Sequence, residues 1–465
     1  MKTYKPKSKM FPTMIVLTIS IVGGFIISYV NNLYSPILST SSVEKMKELN
    51  GKYGFKLGED LLSPKKSNTL ASLLRNDVLE MEGGSKNRGI IVNFNNQSES
   101  GQLILMTPTK QIPEDKLADI ASEYSNTIPE INFAEADIKL DVYSDSMPEI
   151  FETNLMSKLL QSAFQNASRY YTSEDLLEKA SISDKWWIKK RKTNHSLRAT
   201  LNFSNIAGRS TIAVLDSGAD ITHPYFAKLI WNNVDEKADN KTDDDHNGYI
   251  DDIHGCDFTR TKCENLDDGI GHGTHMIGII SKYTTITSPG EIAILKVFDK
   301  KSESRLSYAI KAIKYAADNN MRILNISFGT TVESQALKDA TEYAYSKGSF
   351  IVAAAGNNAS PKPHYPAAYE KVISVGAFNN EGARLSESNY GDWVDLSAPG
   401  ERILSTIPNK RYGYLSGTSQ AAPFVSAEVS NILLSDPNIG IEAMKEELKK
   451  IDFMKMSGPS PYDVQ

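Results

Sequence analysis

The chain has 465 residues, 51 of them basic and 57 acidic, for a formal net charge of −6. That length supports two or three domains with ordinary cores. The mild acidity, with no basic cluster interleaved with aromatics, gives no reason to expect nucleic acid as a partner. Two cysteines, Cys256 and Cys263, are too few for a disulfide scaffold. They either form one local bridge outside the cell or stay as two buried thiols.

The chain opens on a basic flank, residues 1–9, carrying Lys2, Lys5, Lys7 and Lys9. An uncharged stretch follows from Met10 to Val30. As a helix it would span about 31 Å, close to the hydrocarbon thickness of a bilayer. The basic flank is expected to stay in the cytoplasm, which puts everything after Val30 outside. A cleaved signal peptide is the rival reading. The run is long for its apolar core and no Ala-x-Ala follows, the first alanine being Ala71. An uncleaved transmembrane anchor over 10–30 is therefore expected, making the membrane a partner of the N-terminal segment.

Residues 31–65, polar and broken by Gly and Pro, read as a linker. Residues 66–184 read as a small α+β region. Within it "RGIIVNFNN" and "GQLILMTP" are expected strands joined by the polar turn "QSES". "PEDKLADIASEYS" has a Pro start and helical spacing through Leu117, Ile120 and Tyr124. "ADIKLDVYS" reads as another strand. "EIFETNLMSKLLQSAFQNASRYY" and "SEDLLEKA" read as amphipathic helices. No catalytic cluster stands out in this region.

From about residue 185 the grammar changes. "TIAVL", "IAILKVF", "RILNISF", "FIVAAA" and "VISVGA" are short apolar runs. Between or after them come the helix-like stretches "GHGTHMIGIISKY", "RLSYAIKAIKYAADNN", "VESQALKDATEYAYSKG" and "QAAPFVSAEVSNILLS". Near-continuous apolar strands alternating with helices indicate a buried parallel sheet covered on both faces. In such a sheet ligands gather at the carboxyl ends of the strands. Asp216 ends one apolar run, His272 opens a helix, Asn357 follows "AAAG", and Ser419 opens a helix whose first turn is expected to hold Pro423. Singly each is ordinary: a turn aspartate, an incidental histidine, a turn asparagine, an N-cap serine. Together they supply a nucleophile, a base, an orienting carboxylate and an oxyanion donor.

"AVLDSGAD", "GHGTH", "AAAGNN" and "SGTSQAAP" resemble the signature segments of the subtilisin-like serine proteases, in the family's order and at about its spacing. The resemblance covers about residues 185–452. It implies a three-layer α/β/α catalytic domain with a parallel sheet, preceded by a propeptide-like α+β region and followed by a tail over 453–465. It implies that Asp216 orients the base, that His272 is general base and then acid, and that Ser419 is the nucleophile. Asn357 and the Ser419 backbone N–H would stabilise the oxyanion. "NISFG" resembles the family's substrate strand, so Ser327, Phe328 and Gly329 would pair with an extended polypeptide substrate, with Ala354 and Gly356 beside it. His275 fits no zincin pattern and reads as structural. The family's usual residues at 420 and 424 are Met and His, whereas this chain has Gln420 and Phe424, so packing near the nucleophile is expected to differ. Lys362 and His364, in the short loop "NASPKPH", suggest a preference for an acidic side chain before the scissile bond.

"DDDHNGYIDD" sets Asp243, Asp245, Asn247 and Asp251 at alternate positions around Gly248, an EF-hand-like spacing with His254 where the bidentate Glu would stand. Some bacterial members of the family resemble this stretch, and structural Ca²⁺ is expected there. No cofactor is expected for the chemistry itself. The whole reads as a precursor of a serine endopeptidase, with the propeptide as its own chaperone and inhibitor and self-cleavage expected within 165–195. Two other readings remain: a maturation protease dedicated to one peptide precursor, and an inert extracellular binding module on a protease scaffold. The last residues, "MKMSGPSPYDVQ", carry no apolar tail and no wall-sorting pattern, so anchoring is expected at the N-terminus.

Overall fold

A computed structural model describes residues 40–53, 55–60, 90–94, 102–108, 112–129, 131–142, 149–150, 211–260, 263, 265–284 and 291–456. The expected anchor at 10–30, the helix at 173–180 and the cleavage interval at 165–195 lie outside these residues. Among the described residues no helix is long and apolar enough to cross a membrane.

The described part of the stretch read as a linker, residues 40–53 and 55–60, is structured instead. It holds helix α1 (Thr40–Tyr53) and strand β1 (Phe55–Asp60). Met46, Leu49 and Phe55 are buried, and this apolar spacing outweighs the Gly and Pro that suggested a break. β1 joins β2 (Ile90–Phe94), β3 (Gln102–Pro108) and β4 (Ile131–Ala136) in an antiparallel sheet ordered β1-β3-β2-β4. Helix α2 (Glu114–Thr127) lies where its periodicity put it, with Leu117, Ile120 and Tyr124 buried. Strand alternation divides this small sheet between two cores. Ile90, Val92 and Met106 pack with α1 and α2, while Ile91 and Leu105 join the core of the larger domain. The expected strand 136–144 is realised as two residues, β5 (Asp141–Val142). Glu149–Ile150, read as a helix start, is a short strand, β6.

The larger domain is built on seven parallel strands: β7 (Ile212–Asp216), β8 (Gly255–Asp257), β9 (Ile292–Lys296), β10 (Ile323–Ile326), β12 (Phe350–Ala354), β13 (Val372–Phe378) and β14 (Leu396–Pro399). Their order is β14-β13-β12-β10-β7-β9-β8. A two-residue strand, β11 (Phe328–Gly329), leaves the sheet after β10. Alternate side chains serve opposite faces: Ile212 and Val214 join one core, Ala213 and Leu215 the other. The first core holds residues of α3 (His272–Tyr283), α6 (Thr418–Leu433) and α7 (Ile441–Lys449). The second holds α4 (Leu306–Asp318) and α5 (Gln335–Ser346). Three layers, α/β/α, result. Phe424 lies in the first core with its ring 4.4 Å from that of Tyr283. A hairpin, β15 (Ile403–Ile407) and β16 (Arg411–Leu415), leads directly into α6. Cys256 and Cys263 are joined in a disulfide, which resolves the two alternatives left by the sequence.

Candidate active site

Asp216 is the last residue of β7, and His272 the first of α3. His272 Nδ1 lies 2.8 Å from Asp216 Oδ1 and 3.0 Å from Oδ2, and both side chains are buried. The approach depends on Gly273, where a Cβ would stand 2.2 Å from the Gly218 carbonyl oxygen and 3.2 Å from Asp216 Cβ. Burial acts to lower the His272 pKa, but the charge and hydrogen bond of Asp216, with the charge of Asp268, outweigh it and the pKa rises. His272 Nε2 is buried without a hydrogen-bond partner among the described residues.

Ser419 is the second residue of α6, whose N-cap is Gly417 at φ +136°. That conformation suits glycine. Ser419 is therefore not the cap. Its N–H is one of the amides at the helix start that no helical carbonyl reaches. Pro423 falls at the sixth helical position rather than in the first turn. It cannot donate to the carbonyl four residues back, which is that of Ser419. The hydroxyl of Ser327 donates to that carbonyl instead, at 3.1 Å. Ser419 Oγ in turn donates to the Ser327 carbonyl at 3.0 Å.

Asn357 follows β12 beyond Gly356, whose φ is +97°. Its Oδ1 accepts from the Thr418 N–H and hydroxyl, both at 2.9 Å. The amide is thereby fixed with its NH2 end turned away from Thr418. Asn389 secures the loop behind it, donating to the Ala355 carbonyl and accepting from the N–H groups of Asn358 and Ser360. The same Asn389 meets His364 Nδ1 at 3.0 Å. His364 is buried, burial lowers its pKa, and Lys362 is exposed. Burial therefore disfavours a charge on His364, and of the two basic residues of the loop only Lys362 faces solvent.

Asn389 escaped the sequence reading, as did two further positioning residues, Asp268 and Lys296. Asp268 accepts from the Ser217 hydroxyl at 2.8 Å, from the Gly271 N–H at 2.7 Å, and from the N–H and hydroxyl of Thr274 at 2.8 and 2.6 Å. It ties the start of α3 to the end of β7. An aspartate four residues before the histidine is a helix-start signal that could have revealed it. Lys296, buried at the end of β9, donates from Nζ to the carbonyls of Ser217, at 2.8 Å, and Asp267. His275 is structural, as expected. Its Nε2 lies between the carbonyls of Ile403 and Gly413 at 3.0 and 3.2 Å.

Ser327 ends the path from β10 to β11, and Ala354 ends β12. The backbone of Phe328–Gly329 is paired antiparallel with the chain's own β5: Phe328 with Val142 and Gly329 with Asp141. The small domain also reaches the starts of α4 and α5. The Asp137 carboxylate accepts from the N–H and hydroxyl of Ser307 at 2.9 and 2.8 Å. Glu135 accepts from the Ser334 hydroxyl and the N–H groups of Gln335 and Ala336.

In the acidic loop, the carboxylates brought within 4.8 Å of one another are those of Glu236, Asp243 and Asp245. Glu236 was missed because it lies outside the repeating spacing. Asp251 is not in the group: it accepts the N–H groups of Asn240 and Lys241. Asn247 Oδ1 accepts the Tyr249 N–H. Three hard carboxylate donors suit Ca²⁺ better than a soft metal.

Residues 208–451 match the subtilase family. The chain is 37% identical over 258 residues to the thermophilic serine proteinase of Bacillus sp. (strain AK1), covering 54% of this chain and 58% of that protein. It is 34% identical over 231 residues to thermitase of Thermoactinomyces vulgaris, covering 48% of this chain and 74% of that protein. The crystal structure of a cold adapted subtilisin-like serine proteinase aligns at 26% identity and a TM-score of 0.43, over 52% of this chain and 82% of that one.

Proposed function

The chain belongs to the subtilase family of subtilisin-like serine proteases, and on that premise we propose that it is a serine endopeptidase with Asp216, His272 and Ser419 as its triad. The observation that carries the assignment is the bond from His272 Nδ1 to Asp216, which leaves Nε2 as the ring's proton acceptor. Rotation of the Ser419 side chain from the Ser327 carbonyl toward Nε2 completes the relay. Ser419 Oγ attacks the scissile carbonyl carbon while Nε2 takes its proton. The resulting imidazolium is held by Asp216 and protonates the leaving amine. Water then releases the acyl group by the same route. The Asn357 amide and the Ser419 N–H oppose the oxyanion, and losing one such donor costs about 10²–10³ in turnover.

The substrate is a polypeptide laid along Phe328–Gly329. The chain's own residues from α1 to β5 act as an inhibitory and chaperoning propeptide, supported by β5 lying on that edge. We assign structural Ca²⁺ to Glu236, Asp243 and Asp245. Calorimetry showing no calcium binding to the folded protein removes that assignment. We place the catalytic part outside the cytoplasm, anchored through residues 10–30 or released by processing. The basic flank and the Cys256–Cys263 bridge support this.

The test is labelling of the full chain with a serine-directed fluorophosphonate, beside Ser419→Ala. Labelling of the wild type alone is expected. A folded, processed chain that takes no label overturns the protease reading in favour of an inert binding module.

A further inference from the structure

We propose that Asn389 and His364 are a positioning pair for the oxyanion donor Asn357, and that the pair holds only while His364 Nδ1 carries no proton. This rests on the endopeptidase reading above. Both residues act through the segment 355–360, which carries Asn357.

The first observation is how that segment is fastened. Gly356 stands between two partners. Its N–H donates to the Thr418 hydroxyl at 3.0 Å, and its carbonyl accepts the Asn389 N–H at 2.8 Å. The same Thr418 hydroxyl donates to Asn357 Oδ1. A shift of Asn389 therefore moves Gly356, and with it the bonds that orient the Asn357 amide. A Cβ at Gly356 would stand 2.6 Å from Asn389 Nδ2 and 3.2 Å from His364 Cδ2. Both side chains thus close on the backbone immediately before Asn357.

The second is that the Asn389 amide can face only one way. Its Oδ1 accepts the N–H groups of Asn358 and Ser360, both at 3.0 Å, and its Nδ2 donates to the Ala355 carbonyl at 2.8 Å. None of these backbone groups can exchange the role of donor for that of acceptor. Turned over, the amide would set two N–H groups against its NH2 and a carbonyl against its oxygen. The second hydrogen on Nδ2 is directed to His364 Nδ1 at 3.0 Å. Nδ1 is therefore the acceptor nitrogen of a neutral ring.

The third is what a proton would do there. His364 and Asn389 are both buried. A protonated Nδ1 would meet the Asn389 NH2 donor against donor. The other acceptor in its reach is the Lys362 carbonyl at 3.3 Å, and turning to it releases Asn389. Burial lowers the His364 pKa, with the Lys362 carbonyl acting the other way. The titratable groups on the two segments are Lys362, Tyr365 and Tyr369 and, opposite, Arg384, Glu387, Tyr390 and Asp392, and no side chain among them contributes to that shift. The ring takes its proton below the ordinary imidazole value. That lies on the acid side of the limb set by His272, whose pKa is raised.

The experiment expresses the full chain with calcium and measures hydrolysis of a fluorogenic peptide per fluorophosphonate-labelled site. Asn389→Ala is expected to lower kcat at least about 10-fold with little change in KM, part of the roughly 10²–10³ that one oxyanion donor carries. In an Asn357→Ala background the same substitution should have no further effect on kcat, because Asn389 acts through that amide. An equal loss in both backgrounds, or a loss confined to KM, overturns the inference and leaves the endopeptidase reading intact. A folded, processed wild type that takes no label overturns both.

A second measurement does not depend on the folding of Asn389→Ala. In the wild type, kcat/KM should fall about 10-fold per pH unit below the His272 value. Below the His364 value it should lose at least about a further 10-fold as the oxyanion donor loosens. His364→Asn sets an amide oxygen near the place of Nδ1, an acceptor that takes no proton. It should keep kcat at neutral pH and lose the second step. A single step in the wild type, or a second step that persists in His364→Asn, overturns the proposal.

Discussion

Ser327 and Ser419 exchange hydrogen bonds, each hydroxyl donating to the other's backbone carbonyl, at 3.1 and 3.0 Å. One of the two bonds exists because Pro423 denies the Ser419 carbonyl its helical donor. Removing the Ser327 hydroxyl takes a buried donor from that carbonyl, a cost of about 1–3 kcal/mol. Ser327→Ala should therefore lower the denaturation midpoint, measured in the Ser419→Ala background, where the carbonyl remains and self-digestion does not occur. Pro423→Ala restores a helical donor, so the double substitution should cost less than the sum of the two. Strict additivity would disprove the coupling.

The pH dependence follows from His272. Asp216 and Asp268 raise its pKa against the opposing effect of burial. The base must be neutral to take the Ser419 proton. The acid limb of kcat/KM should therefore lie above the ordinary imidazole value. Asp216→Asn keeps the shape but loses the charge, so the limb should move to lower pH while turnover falls by about 10⁴. A limb that stays in place in this variant would show that another group controls it.

Gln420, next to Ser419, is buried with neither amide atom hydrogen-bonded among the described residues. An unsatisfied buried amide costs about 1–3 kcal/mol. Gln420→Met has nearly the same length and no polar atom to satisfy. It should raise the midpoint of thermal unfolding in the Ser419→Ala background, and an unchanged or lower midpoint would mean that the amide has a partner in solution.

The small domain is held to the larger one by Asp137, whose carboxylate caps Ser307 at the start of α4. Burial raises its pKa, and the two bonds from Ser307 only partly offset this. A carboxylate raised in the folded state contributes stability below its unfolded value and loses it as the pH rises through the folded value. Asp137→Ala leaves the Ser307 donors unpaired and should destabilise the precursor by about 1–3 kcal/mol. Asp137→Asn keeps an acceptor and has no charge to bury, so it should cost less, above all at alkaline pH. Urea titrations of the two variants at pH 5 and pH 8 compare them directly.

The central strands and their helices were legible in the sequence because each buried segment is apolar over a length that fits its element. The proposed catalytic residues were legible because Asp216, His272, Asn357 and Ser419 sit in short patterns that a turn or helix start requires. What failed to show has a common physical cause. Lys296 and Asn389 act through backbone carbonyls and amides distant in sequence, which no local pattern marks, and Asp268, though it carries a local helix-start signal, reaches a hydroxyl 51 residues away in Ser217. α1 and β1 were hidden because Gly51 and Gly54 resemble a linker, while their apolar residues find partners in β2, β3 and α2, distant in sequence. Glu236 stands seven residues before Asp243 and outside the alternation of the loop, so its place beside Asp243 and Asp245 left no local mark. β5 and β6 are two residues each, and pairing defines them rather than propensity.

His275 and His272, three residues apart on α3, should act on stability with opposite signs. His275 is fully enclosed, and burial with the adjacent His272 lowers its pKa to about 3. It stays neutral, its Nε2 proton shared between Ile403 and Gly413. The unfolded chain takes up a proton near the ordinary value of about 6.5 and the folded chain does not. Its contribution is therefore complete above that value and declines as the pH falls toward 3, at a slope approaching about 1.4 kcal/mol per pH unit. His272 has the reverse sign, since its raised pKa adds stability below the ordinary value and loses it as the pH rises through the folded one. Between pH 6 and pH 4, where both gradients can be compared by urea titration, His275→Gln in the Ser419→Ala background should flatten the decline whatever its effect on stability at neutral pH. A decline equally steep in the variant would assign the acid sensitivity to the buried carboxylates instead.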